Sequence, residues 1–199
     1  LDYLRRDSFF TGVTEGNIGS VPIIKMLDVQ NDNLVVESKG IYSIENYLTS
    51  RRLMYWQVYL HKTAVACEKV LINTLLRAKY LAETGKEIFA SPALRYFLYN
   101  DIDETIFNQD EKALRYYTEL DDSDIWSALK VWRHSDDKIL STLAGDMLDR
   151  RIFKVEIHDK PIADDYLVTL RQMIADSLGI SIAETEYMID VSTIQKDMY

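Results

Sequence analysis

The sequence predicts a mostly α-helical protein, a helical bundle with a short β-hairpin and a small α+β lobe at its C-terminal end. Three observations predict it. From residue 43 to about residue 81, apolar residues recur at helical spacing: Ile44, Leu48, Tyr55 and Tyr59, then Ala66, Val70, Leu75 and Leu76. Near 28–37, two apolar-containing stretches flank Gln30-Asn31-Asp32-Asn33, the polar insert of a hairpin. From about residue 150 the character shifts. Residues 151–158 alternate as a strand, a helix follows, and 187–194 read as a second strand. The expected division is therefore a helical part over 1–150 and a small α+β lobe over 151–199.

Residues 2–10 read as the end of a helix, broken by Thr11-Gly12 and the Gly16/Gly19 stretch. A short helix over 22–27 follows, with Pro22 in its first turn. Ser43-Ile44-Glu45-Asn46 can cap the long helical stretch. About forty residues exceed a typical globular helix, so a kink is expected around 61–63, and the stretch ends near Gly85. Helices are expected at 92–100, 110–118, 123–133 and 136–149. The third is capped by Asp122 or Ser123. The fourth is capped by Ser135, with Asp136 and Asp137 in its first turn. The tail helix starts at Asp164 or Asp165 and ends at Gly179, a residue suited to the left-handed position after a helix. No capping residue precedes Leu1, and the last strand has little left to pair with. The chain therefore reads as a piece of a longer protein, truncated at both ends.

Composition narrows the function classes. With 47% apolar and 28% charged residues, the chain is in the ordinary globular range. No apolar run approaches the roughly 18 residues a transmembrane helix needs, and the charged first residues do not resemble a signal peptide. One cysteine, Cys67, excludes an intramolecular disulfide framework and a cysteine-based zinc site, so a reducing cytoplasm is expected. The net charge of −9 argues against broad nucleic-acid or membrane-surface binding, but leaves room for a local basic pocket for a small polyanion.

Such a pocket has candidate residues. Arg51, Tyr55 and Tyr59 stand at i, i+4 and i+8 and share one helix face. A guanidinium pairs with phosphate oxygens, and phenols stack and donate hydrogen bonds. The same spacing also suits tyrosines packed in a core with an arginine on a carboxylate. The first seven residues add two carboxylates, a tyrosine and two arginines. His158-Asp159 is literally an HD pair, but it ends a predicted strand and precedes Lys160-Pro161, which suits an exposed turn better than a metal site. His134 and the Asp121–Asp124 stretch read as helix capping. Trp126, Leu129 and Trp132 read as core, and Cys67 as a packed small hydrophobe.

The segment Asp2-Tyr3-Leu4-Arg5-Arg6-Asp7 with Thr11-Gly12, and the segment from Arg51-Arg52-Leu53 through Tyr59-Leu60-His61-Lys62, resemble the C-terminal half of the HD-domain phosphohydrolases. Within them they are most similar to the dNTP triphosphohydrolase-like branch. The resemblance implies a helical bundle from the C-terminal part of such a protein. It implies hydrolysis of a dNTP to a deoxynucleoside and triphosphate with a divalent metal held by an H…HD…D set (Mg, Mn, Fe and Ni are not distinguished). Carried onto this sequence, the last metal Asp would fall just ahead of Leu1 and the histidines further upstream. No metal ligand, no catalytic residue and no cofactor is then expected in this chain, and the chain alone is expected to be inactive.

The same resemblance implies substrate-side roles. Tyr3 stands beside the sugar, Asp7 on its 3′-hydroxyl, Arg51 on the triphosphate and Tyr59 against the ribose. Tyr55 replaces a histidine near the base. Gln57, His61 and Lys62 match positions near an effector-nucleotide site between subunits, with Gln57 in place of an arginine. The implied partners are a dNTP-like nucleotide and further copies of the chain, in the cytoplasm. Two other readings stand beside this one: an HD phosphohydrolase acting on another nucleotide, and a non-catalytic nucleotide-sensing or oligomerisation module.

Overall fold

The computed structural model describes residues 1–158 and 160–192. They are mostly helical, with one two-stranded antiparallel hairpin, as the sequence predicts. They divide into two compact units, residues 1–65 and 66–192. No described helix is long and apolar enough to cross a membrane.

The first unit opens with α1 (Asp2–Thr11), stopped by Gly12 in the left-handed conformation at φ 73°, where a side chain would be strained. A 3-10 turn (Thr14–Gly16) and α2 (Ser20–Lys25) follow. Strands β1 (Leu27–Gln30) and β2 (Asn33–Val36) are joined by Asn31-Asp32, both at positive φ (49° and 59°). That pair of left-handed residues is the twist-matched two-residue hairpin turn, and it fixes the register Leu27↔Val36 to Gln30↔Asn33. Next comes α3 (Ile41–Met54), which begins two residues ahead of the expected Ser43.

The expected kink is real and has a specific form. Residues Tyr55–Tyr59 form a π-helical turn, closed by the Leu60 N–H donating to the Tyr55 carbonyl at 2.7 Å. α4 (Lys62–Glu83) restarts after it. The core of this unit is Leu4, Ile18 and Met54, all buried, with Tyr3, Tyr47 and Tyr59 packed around them. Gly16 is wedged into that core. A Cβ there would stand 2.8 Å from the Leu4 carbonyl oxygen and 2.8 Å from Ser8 Cβ, so no larger residue fits without movement.

The second unit holds the body of α4 and then α5 (Pro92–Tyr99), α6 (Glu104–Gln109), α7 (Glu111–Glu119), α8 (Asp122–Trp132), α9 (Lys138–Asp149) and α10 (Asp164–Leu178). The short helix α6 has no counterpart in the periodicity reading, because six residues are too few to display a period. Two caps shift by a residue or two. Asp121, not Asp122 or Ser123, caps α8 through a reciprocal capping box with Asp124. Asp137, not Ser135, caps α9 through the Leu140 N–H at 2.8 Å. The core runs from Ala78 and Leu81 through Leu94, Leu98 and Leu129 to Trp132 and Leu140. Trp126 is 44% exposed, so only Leu129 and Trp132 of that expected triplet are core.

The tail departs from the expected α+β lobe. Residues 151–158 form no strand; of the expected second strand over 187–194, Tyr187 closes a 3-10 turn (Ala183–Tyr187) and residues 188–192 form no strand. The rest of the expected second strand, from residue 193 on, lies outside the described residues. Alternation without a partner edge cannot make a sheet. Side chains hold this segment instead. Arg77, buried on α4, makes a two-pronged bond to Asp137 at 3.1 and 2.7 Å and reaches Glu184 at 3.1 Å. Its guanidinium also lies 5.2 Å over the Tyr187 ring. Asn73 donates to the Tyr187 carbonyl at 3.0 Å.

Candidate functional site

The residues singled out in the first unit meet in space. On α1, Leu4 and Ser8 are buried and seat the helix. Tyr3 and Asp7 sit one residue back on the same turns, so they share the neighbouring stripe. On α3, Ser50 and Met54 are buried, and Arg51 and Tyr55 follow each of them in the same way. The π turn adds Tyr59 to this stripe. An extra residue in a helical turn re-aims the side chains around it, and such turns concentrate at functional sites.

The resulting cluster is tight. Tyr59 donates its hydroxyl to Asp7 Oδ2 at 2.6 Å. Its ring lies 5.1 Å from that of Tyr55, edge to face, and 6.1 Å from that of Tyr3. The Arg51 guanidinium carbon is 5.6 Å over the Tyr55 ring, and the group lies beside the hydroxyls of Tyr3 and Tyr55. Arg6 approaches the other Asp7 oxygen at 3.5 Å.

The electrostatics follow from this geometry. Burial, reinforced by the Asp7 carboxylate, pushes the Tyr59 phenol well above its usual value, so it remains a donor at neutral pH. Burial also raises Tyr3, although Arg51 pulls the other way. Bonding to the two phenols raises Arg51 further, so its positive charge is permanent. The site is a fixed cation beside three phenols and a carboxylate, which suits an anionic ligand that also carries a ring and hydroxyls.

The expected effector positions are engaged differently. Gln57 sits on the π turn and donates its amide to Glu15 Oε1 at 3.1 Å, a bond that lowers the Glu15 carboxyl. His61 is exposed and is not a core residue. Its Nδ1 accepts the Thr63 N–H at 3.3 Å, and its carbonyl accepts the Val65 N–H, so it caps α4. Lys62 is exposed at the start of α4. Sequence reasoning missed Glu15 and the packing role of Gly16. A lone glutamate in a turn carries no pattern that could reveal its partner 42 residues away.

The remaining candidates behave as local structure. Cys67 is half-buried with its Sγ 3.7 Å from Met147 Sδ. His134 is exposed after α8. His158 lies 3.5 Å from a Glu156 oxygen, and Asp159 lies outside the described residues. Among the described residues, no group of three or more His, Cys, Asp or Glu is placed to hold a metal ion.

Comparison with known proteins sharpens the reading. Residues 20–90 match the family model described as an HD associated region. A crystal structure of a phosphohydrolase from Bacteroides thetaiotaomicron is 63% identical and superposes with a TM-score of 0.87. The match covers 94% of this chain and 46% of that one. The uncharacterized protein YwfO of Bacillus subtilis is 31% identical over 154 residues, 77% of this chain and 34% of that protein. An uncharacterized protein of Mycoplasma pneumoniae is 27% identical over 176 residues, 80% of this chain and 38% of that protein. The chain thus spans little more than a third of these two curated relatives and under half of the solved phosphohydrolase. The matched region and the solved phosphohydrolase together make this chain an HD-domain-related protein.

Proposed function

We propose that the first unit supplies the sugar- and phosphate-contacting side of a pocket in an HD-domain phosphohydrolase that converts a dNTP to a deoxynucleoside and inorganic triphosphate. The observation that carries this reading is the meeting of Tyr3, Asp7, Arg51, Tyr55 and Tyr59 around the π turn. These are the positions at which the sequence resembles the dNTP-cleaving branch. Arg51 binds the triphosphate as a fixed cation. Asp7, oriented by the Tyr59 hydroxyl, accepts a hydrogen bond from a sugar hydroxyl. The Tyr3 and Tyr59 rings wall the deoxyribose, and Tyr55 faces the base. Hydrolysis to these products places a water oxygen on the α-phosphorus and releases the 5′-oxygen with a proton. The residues above bind and orient the substrate for that step and move no proton in it.

The described residues do not fit a metal site. In this reading the divalent ion is held by residues outside this sequence, and the isolated chain hydrolyses no dNTP. Copies of the chain assemble in the active protein. The test is inorganic triphosphate release from each of the four dNTPs with Mg²⁺ or Mn²⁺, with and without GTP, by the full-length protein and by this chain side by side. Triphosphate from the full-length protein alone is expected. Silence from both across the panel sinks the dNTP reading.

A second reading rests on the same meeting of Arg51 with the three phenols, which suits holding a nucleotide as well as orienting one. In it the unit senses a nucleotide without cleaving it. A nucleotide that binds the full-length protein and drives its oligomerisation, with no product formed, would establish that alternative.

A further inference from the structure

The second unit carries an aromatic cleft that the proposed function does not use. Pro92, Arg95, Tyr96 and Tyr99 recur at i, i+3, i+4 and i+7 on α5, one continuous stripe. The buried face of that helix is a different one, made by Ala93, Leu94 and Leu98. The stripe therefore faces outward, and α7 meets it with Tyr116. Together with Asn100 these residues line a cavity of about 360 Å³. That volume is at the lower end of what small-ligand pockets offer.

The rings are held in place before any ligand arrives. Tyr96 and Tyr116 stack at 4.9 Å with 28° between their planes. The Tyr96 hydroxyl donates to Asp110 at 2.6 Å. The Tyr99 hydroxyl accepts the Ile88 N–H at 2.7 Å. With those hydroxyls committed, Tyr96 and Tyr99 offer ring surface rather than hydrogen bonds, and no rotamer freedom is lost on stacking.

Two cations overlie the rings. The Arg95 guanidinium carbon is 4.3 Å over Tyr99. The Lys112 ammonium is 5.8 and 5.9 Å from the centroids of Tyr96 and Tyr116. Neither forms an ion pair with a carboxylate among the described residues, whereas Arg77, Arg115, Arg133 and Arg151 of the same unit all do. Asp110 borders the cleft. It accepts the Tyr96 hydroxyl and the Lys112 backbone N–H at 2.9 Å, and the Lys112 ammonium also acts on it without closing an ion pair.

We propose that this cleft between α5 and α7 binds a planar aromatic ring bearing an anionic group, a mononucleotide being the simplest such molecule. The ring stacks against the tyrosine surface, and Arg95 and Lys112 neutralise the phosphate. The site lies in the second unit and uses none of the residues of the Arg51 cluster.

The experiment is calorimetric titration of AMP into the full chain carrying Arg51→Ala, which silences the first-unit cluster. Parallel titrations use adenosine and ribose 5-phosphate. Saturable AMP binding is expected, with both halves alone binding at least about tenfold more weakly. Arg95→Ala and Tyr116→Ala each weaken AMP by about tenfold. Tyr116→Phe retains binding, since the Tyr116 hydroxyl makes no hydrogen bond among the described residues. Arg95 and Tyr116 are not core residues, and unchanged far-UV dichroism of each variant confirms that a loss is local. No saturable AMP binding overturns the proposal. So does AMP binding that survives both Arg95→Ala and Tyr116→Ala. Adenosine binding as tightly as AMP overturns the anionic half, and ribose 5-phosphate binding as tightly overturns the aromatic half.

Discussion

The Tyr59 hydroxyl reaches Asp7 Oδ2 at 2.6 Å across 52 residues of sequence and ties the π turn to α1. A half-buried bond to a charged acceptor is among the stronger hydrogen bonds a small unit can make. Tyr59→Phe and Asp7→Ala are each expected to destabilise the chain by about 1–2 kcal/mol. Because they remove the same bond, the double variant should cost little more than either single one. A double-mutant cycle in urea measures this, and strict additivity would show that the bond contributes nothing.

Arg51 is mostly a ligand-binding residue in the proposed function and not a packing one, because Met54 and Ser50 hold that helix in place. Arg51→Ala in the full-length protein should lower kcat/KM for a dNTP by about two orders of magnitude while the melting temperature barely moves. Arg51→Lys should recover only part of that loss, because a lysine cannot reproduce the planar fork. Steady-state kinetics and a melting curve on the same preparations decide it.

Arg77 and Asp137 have side chains only 7% and 8% exposed, so breaking the pair leaves a buried charge without its partner. Arg77→Met should cost about 3–5 kcal/mol, read from urea denaturation. Asp137→Ala should cost more, since it also removes the α9 cap.

The same network sets an acid limit. Arg77 and, for Asp137, the Leu140 N–H hold the Asp137 carboxyl below its ordinary value of 3.8 despite burial. Bonds from Ser181, and then Arg77, hold Glu184 below 4.5. The unfolded chain therefore binds protons first as pH falls. The stability these groups contribute is fully present above about pH 5, and it declines below 4.5 as pH passes through the lowered folded values. Urea midpoints from pH 7 down to pH 3 should show this decline. The slope should flatten in Arg77→Met.

Gly16→Ala should destabilise the chain by about 1–3 kcal/mol, because the added methyl meets the Leu4 carbonyl oxygen and Ser8 Cβ at 2.8 Å, atoms that cannot swing aside, as well as Met54 Sδ at 3.0 Å. A thermal melt of the variant tests this directly. An unchanged melting temperature would mean the 3-10 turn can shift at no cost.

Several parts of this protein were readable in the sequence by itself. Helical periodicity located the long helices and the break between α3 and α4. Gln30-Asn31-Asp32-Asn33 marked the hairpin, whose turn is Asn31-Asp32, and Gly12 and Gly179 marked helix ends. Each of these signals is local: a period of 3.6, a turn chemistry, or a residue tolerant of positive φ. Helical spacing put Arg51, Tyr55 and Tyr59 on one face, but their meeting with Tyr3 and Asp7 was legible only through resemblance, since nothing local links residue 7 to residue 59. Tertiary structure alone decided the rest. It turned the expected break into a π turn, paired Gln57 with Glu15, and left residues 151–158 and 187–192 without strands, with Arg77 holding Glu184 and Tyr187. These outcomes depend on which distant groups share a buried, low-dielectric space. Strand alternation in particular acquires a meaning only when a partner edge exists to satisfy its backbone.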